Sequence, residues 1–111
     1  MNRNPLYLEH ILASINLIID YTSEGKLSLQ NDTKTYDAVL RQLQIMSEST
    51  KRLSDDLKAR HSKIQWREII GFRNILVHEY LGHIDPDIIW KVVTEKLPEL
   101  KIVIETELSK I

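Results

Sequence analysis

Apolar residues recur along the chain at steps of three and four, which is the period of helices with one buried side. Leu8, Ile11, Leu12, Ile15, Ile18 and Ile19 form the first such stripe. Asn4 before Pro5 supplies a capping side chain and then a residue preset for the first turn, so helix one is predicted from Pro5 to about Tyr21. Ser23-Glu24-Gly25-Lys26 ends it, since glycine is the usual residue just past a helix. Leu27 to Asn31 reads as a connector with room for one helical turn. Tyr36, Val39, Leu40, Leu43, Met46 and Leu53 mark the buried side of helix two, Thr33 to Leu53, with Asp32 or Thr33 as its cap. Leu57 to Lys63 is polar and basic, either a long loop or a short helix. Helix three is predicted from Trp66 to Tyr80, ending before Gly82. Asp85-Pro86 repeats the cap-then-proline start, and Ile89, Val92, Val93 and Leu97 carry helix four. Pro98 falls inside that stripe and predicts a kink or a restart, because it removes one hydrogen bond. Leu100, Val103, Ile104 and Leu108 continue the apolar side to the end. No stretch alternates with the period of a strand. The pattern predicts an all-α, up-and-down bundle of four to five helices in a single domain over residues 1–111.

Composition changes this picture in three ways. With 111 residues and 42% hydrophobic content the chain can bury one modest core, and chains of this size are often stabilised by dimerisation. A net charge of −1 excludes a whole-protein basic field, so any nucleic-acid binding must use a local patch. One candidate patch is the stretch from Lys51 to Arg67. It holds Lys51, Arg52, Lys58, Arg60, Lys63 and Arg67 against Asp55 and Asp56, with His61 in addition. Such a run is either a solvated face or a grip on phosphates. The chain has no cysteine, which excludes disulfides and thiolate metal sites. The N-terminus lacks the unbroken apolar core of a signal peptide, and no apolar run approaches the roughly 18 residues of a membrane span. A cytoplasmic protein without a membrane segment is expected.

Candidate chemistry gathers in Gly71-Phe72-Arg73-Asn74-Ile75-Leu76-Val77-His78-Glu79-Tyr80. Polar groups in an otherwise apolar helix are costly unless something pairs with them. At about 100° per residue, Arg73, Val77 and Tyr80 share one stripe, and Asn74 and His78 share the next. Read as structure alone, Arg73 pairs with an acid such as Glu48 or Asp37, His78 pairs with a carbonyl or Glu79, and Tyr80 packs at a helix end. Trp66 and Trp90 lie on apolar faces and read as anchors of the core or of an interface. Metal chemistry has little support. His78 and His83 are five apart, so the His-x-x-x-His spacing is missing, and His10 and His61 are scattered. There is no glycine-rich phosphate loop and no serine in a nucleophile elbow. Neither a metal nor a cofactor is expected.

Arg73-Asn74-Ile75-Leu76-Val77-His78-Glu79-Tyr80 resembles the R-x-x-x-x-H motif of HEPN domains. With Tyr80 it resembles the longer R-x-x-x-x-H-x-Y form of toxins in HEPN/MNT toxin–antitoxin pairs, the HepT type. Leu6-Tyr7-Leu8-Glu9-His10-Ile11, Tyr36-Asp37-Ala38-Val39-Leu40-Arg41, Ile64-Gln65-Trp66-Arg67 and Asp85-Pro86 to Ile89-Trp90 are similar to the same family, so the likeness covers nearly the whole chain. It departs at Ser47-Glu48-Ser49, where the family often has Gly-Glu-Ala; serine is larger and can hydrogen-bond its own helix.

The resemblance implies a HEPN-like dimer that cleaves RNA without a metal, as the toxin of such a pair. His78 would act as base or acid on the 2′-hydroxyl and the leaving 5′-oxygen. Arg73 would grip the phosphate and stabilise its developing charge, and Asn74 would orient the phosphate or the histidine. One histidine cannot readily be base and acid at once, so two copies of the motif would face each other across one cleft of a homodimer. The resemblance further implies a partner, an MNT-type nucleotidyltransferase antitoxin that attaches AMP to Tyr80. Added charge and bulk there would block the cleft. The alternative is a helical module that binds a nucleotide or a partner and has no catalysis of its own.

Overall fold

The computed structural model describes residues 2–78 and 84–111. Four long helices carry the bundle: α1 (Asn4–Tyr21), α3 (Thr33–Lys51), α5 (Trp66–His78) and a composite C-terminal helix. Short helices α2 (Lys26–Asn31) and α4 (Asp55–Arg60) lie in the connections. The composite helix begins as α6 (Pro86–Lys91), widens over Val92–Lys96 and continues as α7 (Leu97–Ser109). No described residue is in a strand. No described helix is long and apolar enough to cross a membrane.

Local chemistry explains most boundaries. Asp32 caps α3 by accepting from the Lys34 N–H at 3.1 Å, and Asp85 caps α6 by accepting from the Asp87 N–H at 2.8 Å. Gly25, at φ 91°, supplies the left-handed turn between α1 and α2. Pro98 accounts for the widened turn. It has no N–H and its ring crowds the Thr94 carbonyl, and just before it the Leu97 N–H bonds back to the Val92 carbonyl, one residue further than in an α-helix. At the expected irregularity a π-helical turn joins α6 to α7 without a break in the helix.

Asn4 departs from expectation. It does not cap α1 from outside but is its first residue. Its side chain reaches across the fold, donating to Ser54 Oγ and accepting from the Ser54 N–H, both at 2.9 Å. Ser54 in turn caps α4 by accepting from the Leu57 N–H. The start of α1 is thereby pinned to the start of α4.

The core follows the predicted stripes except at Ile19, which the spacing places on the buried side of helix one but which is 45% exposed. Leu8, Ile11, Ile15 and Ile18 of α1 pack with Val39, Leu43 and Met46 of α3, with Phe72 and Leu76 of α5, and with Leu97, Leu100 and Ile104 of α7. α3 lies between α1 and α5, and α7 packs on the other flank of α1. Each fully buried Leu or Ile contributes about 1.5–3 kcal/mol, enough to set which way every long helix faces. Tyr36 adds a long-range tie, its hydroxyl donating to the Ile84 carbonyl at 2.7 Å.

Candidate active site

Ile69, Phe72 and Leu76 are the buried residues of α5, and their spacing fixes the rotation of the helix about its axis. Arg73 then falls at the edge facing α3, while Asn74 and His78 point away from the core. The last turns of α3 and the middle of α5 enclose an open groove of about 580 Å³. It is lined by Ser47, Glu48, Lys51 and Arg52 from α3 and its end, and by Ile70, Arg73 and Asn74 from α5.

Arg73 Nε donates to Glu48 Oε1 at 3.4 Å, so of the two acids expected to meet this arginine Glu48 does. Asp37 instead lines a neighbouring groove with Leu76 and Val77. The contact is longer than the roughly 2.7–2.9 Å of a tight charge-assisted bond. Both side chains are also nearly half exposed, at 42% and 45%. Such a pair adds only about 0–1 kcal/mol to stability, so its consequence is orientation. It holds the guanidinium at its Nε edge. Ser47, at the departure from Gly-Glu-Ala, is fully buried and donates to the Leu43 carbonyl at 2.8 Å. The hydroxyl is satisfied within its own helix, as its chemistry allows.

His78 is the last described residue of α5 and is exposed. Five residues separate it from Arg73, about 7.5 Å of helix rise and well over a quarter turn. It does not line the groove. Arg73 and Asn74 therefore line one groove with Glu48, while His78, on the same stripe as Asn74, stands one turn further along α5, beyond the lining residues. Tyr80 lies outside the described residues. Ile75 and Val77, at 40% and 42% exposure, put apolar surface around His78.

The basic run from Lys51 to Arg67 is divided by the fold. Lys51 and Arg52 enter the groove. Arg60 and His61 turn the other way, to Glu107 of α7. That carboxylate is buried and was not singled out by its residue type, though it continues the apolar stripe three residues after Ile104. Trp66 is held as an anchor, its indole N–H 3.0 Å from the carbonyls of both Lys58 and His61.

The model of the HepT-like family, described as "Ribonuclease HepT-like", matches residues 11–107. The chain belongs to the HepT-like ribonuclease family. The ribonuclease class expected from the motif is the class of this family. A protein of Thermococcus cleftensis named as a probable ribonuclease HepT is 40% identical over 86% of each chain. A protein of Methanocaldococcus jannaschii named as a candidate RNase is 35% identical, covering 89% of this chain and 91% of its own length. A candidate RNase of Caldanaerobacter subterraneus is likewise 35% identical, over 94% of this chain and 93% of its own. No solved structure matches significantly. The HepT-like match takes in the whole Glu48–Arg73 groove and the end of α5.

Proposed function

We propose that this HepT-like ribonuclease is an endoribonuclease toxin that cuts cellular RNA without a metal ion, in a cleft shared by two copies of the chain. The observation that carries this reading is the division of the motif within one chain. Arg73 and Asn74 line a groove, and His78 stands outside it on the exposed face of α5. A second copy placed against that face would bring two histidines to one phosphate. One imidazole takes the 2′-hydroxyl proton as that oxygen attacks phosphorus. The other gives a proton to the 5′-oxygen as its bond to phosphorus breaks, leaving a 2′,3′-cyclic phosphate and a free 5′-hydroxyl. Arg73 pairs with the phosphoryl oxygens as charge builds on them, held in place by Glu48, and Asn74 orients the phosphate. Exposed Ile75 and Val77 supply apolar area for the contact between copies.

Mixing experiments test the shared cleft. With a tenfold excess of His78→Ala chains, random pairing leaves roughly one wild-type chain in eleven with a wild-type partner, so activity per wild-type chain should fall about tenfold. Unchanged activity per wild-type chain would mean that a single chain completes the site.

The antitoxin in this reading is an MNT-type nucleotidyltransferase that transfers AMP to Tyr80, two residues beyond His78 in sequence. A nucleotide there would place negative charge and bulk where the RNA phosphates must bind. Co-expression with a nucleotidyltransferase encoded alongside should add adenylyl mass to a peptide containing Tyr80, and Tyr80→Phe should remain unmodified. Mapping of the added mass to Tyr7, Tyr21 or Tyr36 would refute the assignment.

A further inference from the structure

We propose that Lys51 and Arg52 form a second phosphate subsite next to Arg73, holding the phosphodiester that neighbours the one to be cut. The inference rests on the ribonuclease reading above and adds the path of the RNA strand across the chain. Three cations, Lys51, Arg52 and Arg73, line the α3–α5 groove against one carboxylate, Glu48. The groove is therefore positive within a chain whose net charge is −1. At about 580 Å³ it is far larger than a single phosphate requires and falls in the roughly 300–1,000 Å³ range of pockets for nucleotide-sized ligands.

The two residues are left available for such a ligand. Among the described residues neither Lys51 nor Arg52 forms an ion pair, whereas Lys26, Arg60, Arg73, Lys96 and Lys110 all do. The guanidinium of Arg52 lies 6.0 Å from the centre of the Tyr7 ring, within reach of a cation–π contact. The end of α3 would ordinarily present bare carbonyls, which repel phosphate. Here Lys58 Nζ donates to the Lys51 carbonyl at 3.2 Å, covering one of them and adding a cation close by. Glu48 occupies one edge of Arg73. The strand then runs from the α5 end past Arg73 toward the end of α3.

RNA binding should be measured in the His78→Ala background, so that bound single-stranded RNA of mixed sequence stays intact. The slope of log Kd against log salt is compared with and without Lys51→Gln/Arg52→Gln. Losing the one phosphate contact of this subsite should lower that slope by about 0.7, the value per phosphate for single strands. The charge-conserving pair Lys51→Arg/Arg52→Lys should restore it, which a merely structural role would not produce. An unmoved slope, or equal loss in the charge-conserving pair, overturns the subsite. If the wild-type chain shows the Lys51/Arg52-dependent slope but cuts no RNA, the subsite stands and the nuclease reading falls. If it cuts RNA and the slope is unmoved, the reverse holds; absence of any RNA binding overturns both.

Discussion

His78→Ala should lower kcat for RNA cleavage by about 10²–10⁴-fold, the range for losing a positioned general acid or base. The fold should survive. The side chain is exposed at the last described residue of α5, where truncation usually changes stability by no more than about 0.5 kcal/mol. Imidazole is suited to the role because its ordinary titration range lies near neutrality, so it can both accept and donate a proton there. The measurement pairs single-turnover cleavage of RNA with a thermal melt and a sizing run, so that lost chemistry is separated from lost fold or lost assembly. A variant that cleaves as well as wild type, or is equally toxic in cells, would remove His78 from the chemistry. It would favour the alternative of a helical module that binds nucleotides or a partner without catalysis.

Much of the bundle was legible because long apolar stripes leave little choice. Helix one was expected from Pro5 and is found from Asn4; helix two, expected to reach Leu53, ends at Lys51 with Leu53 buried just beyond. Features decided by distant partners were not legible. The stretch after Leu57 could have been loop or helix, since α4 buries only Leu57 from its own sequence. What decides it is Ser54 as cap, the Trp66 indole on the carbonyls of Lys58 and His61, and Glu107 holding Arg60. Asn4 looked like a cap because capping is local, and its partner Ser54 is fifty residues away.

The same distinction runs through the site. Arg73 with Glu48 was foreseeable, because a cation on an apolar helix needs an acid and only a few lie on the facing stripe of α3. The basic run was visible, but not that Lys51 and Arg52 enter the groove while Arg60 and His61 pair with Glu107 of α7. That division depends on how α4 folds back, which no periodicity encodes. The separation of Arg73 from His78 along α5 was written in their five-residue spacing.

Glu107→Gln should cost about 2–3 kcal/mol at pH 7 and almost nothing near pH 2, because the stability at stake belongs to an ionised carboxylate. Glu107 is only 5% exposed, yet accepts from Arg60 Nη2 at 2.7 Å, from His61 Nε2 at 2.6 Å and from Lys110 Nζ at 3.2 Å. The Arg60 guanidinium foremost, then His61 and Lys110, hold its carboxyl at about 2 against an ordinary value of 4.5, overcoming the burial that would raise it. A folded-state value below the unfolded one means that the stabilisation is complete above about pH 4.5 and is lost as pH falls from there toward 2. A shift of that size corresponds to about 3.5 kcal/mol at most, at roughly 1.4 kcal/mol per unit. The loss on mutation stays below the roughly 3–5 kcal/mol of a fully sealed ion pair, because Arg60 and Lys110 are half exposed and return to water when released. Urea unfolding at several values between pH 7 and pH 2.5 reads this directly. The wild-type and Glu107→Gln stabilities should converge as the solution is acidified. A difference that stays constant over that range would show that α4 is held to α7 by packing, with the buried carboxylate contributing only its shape.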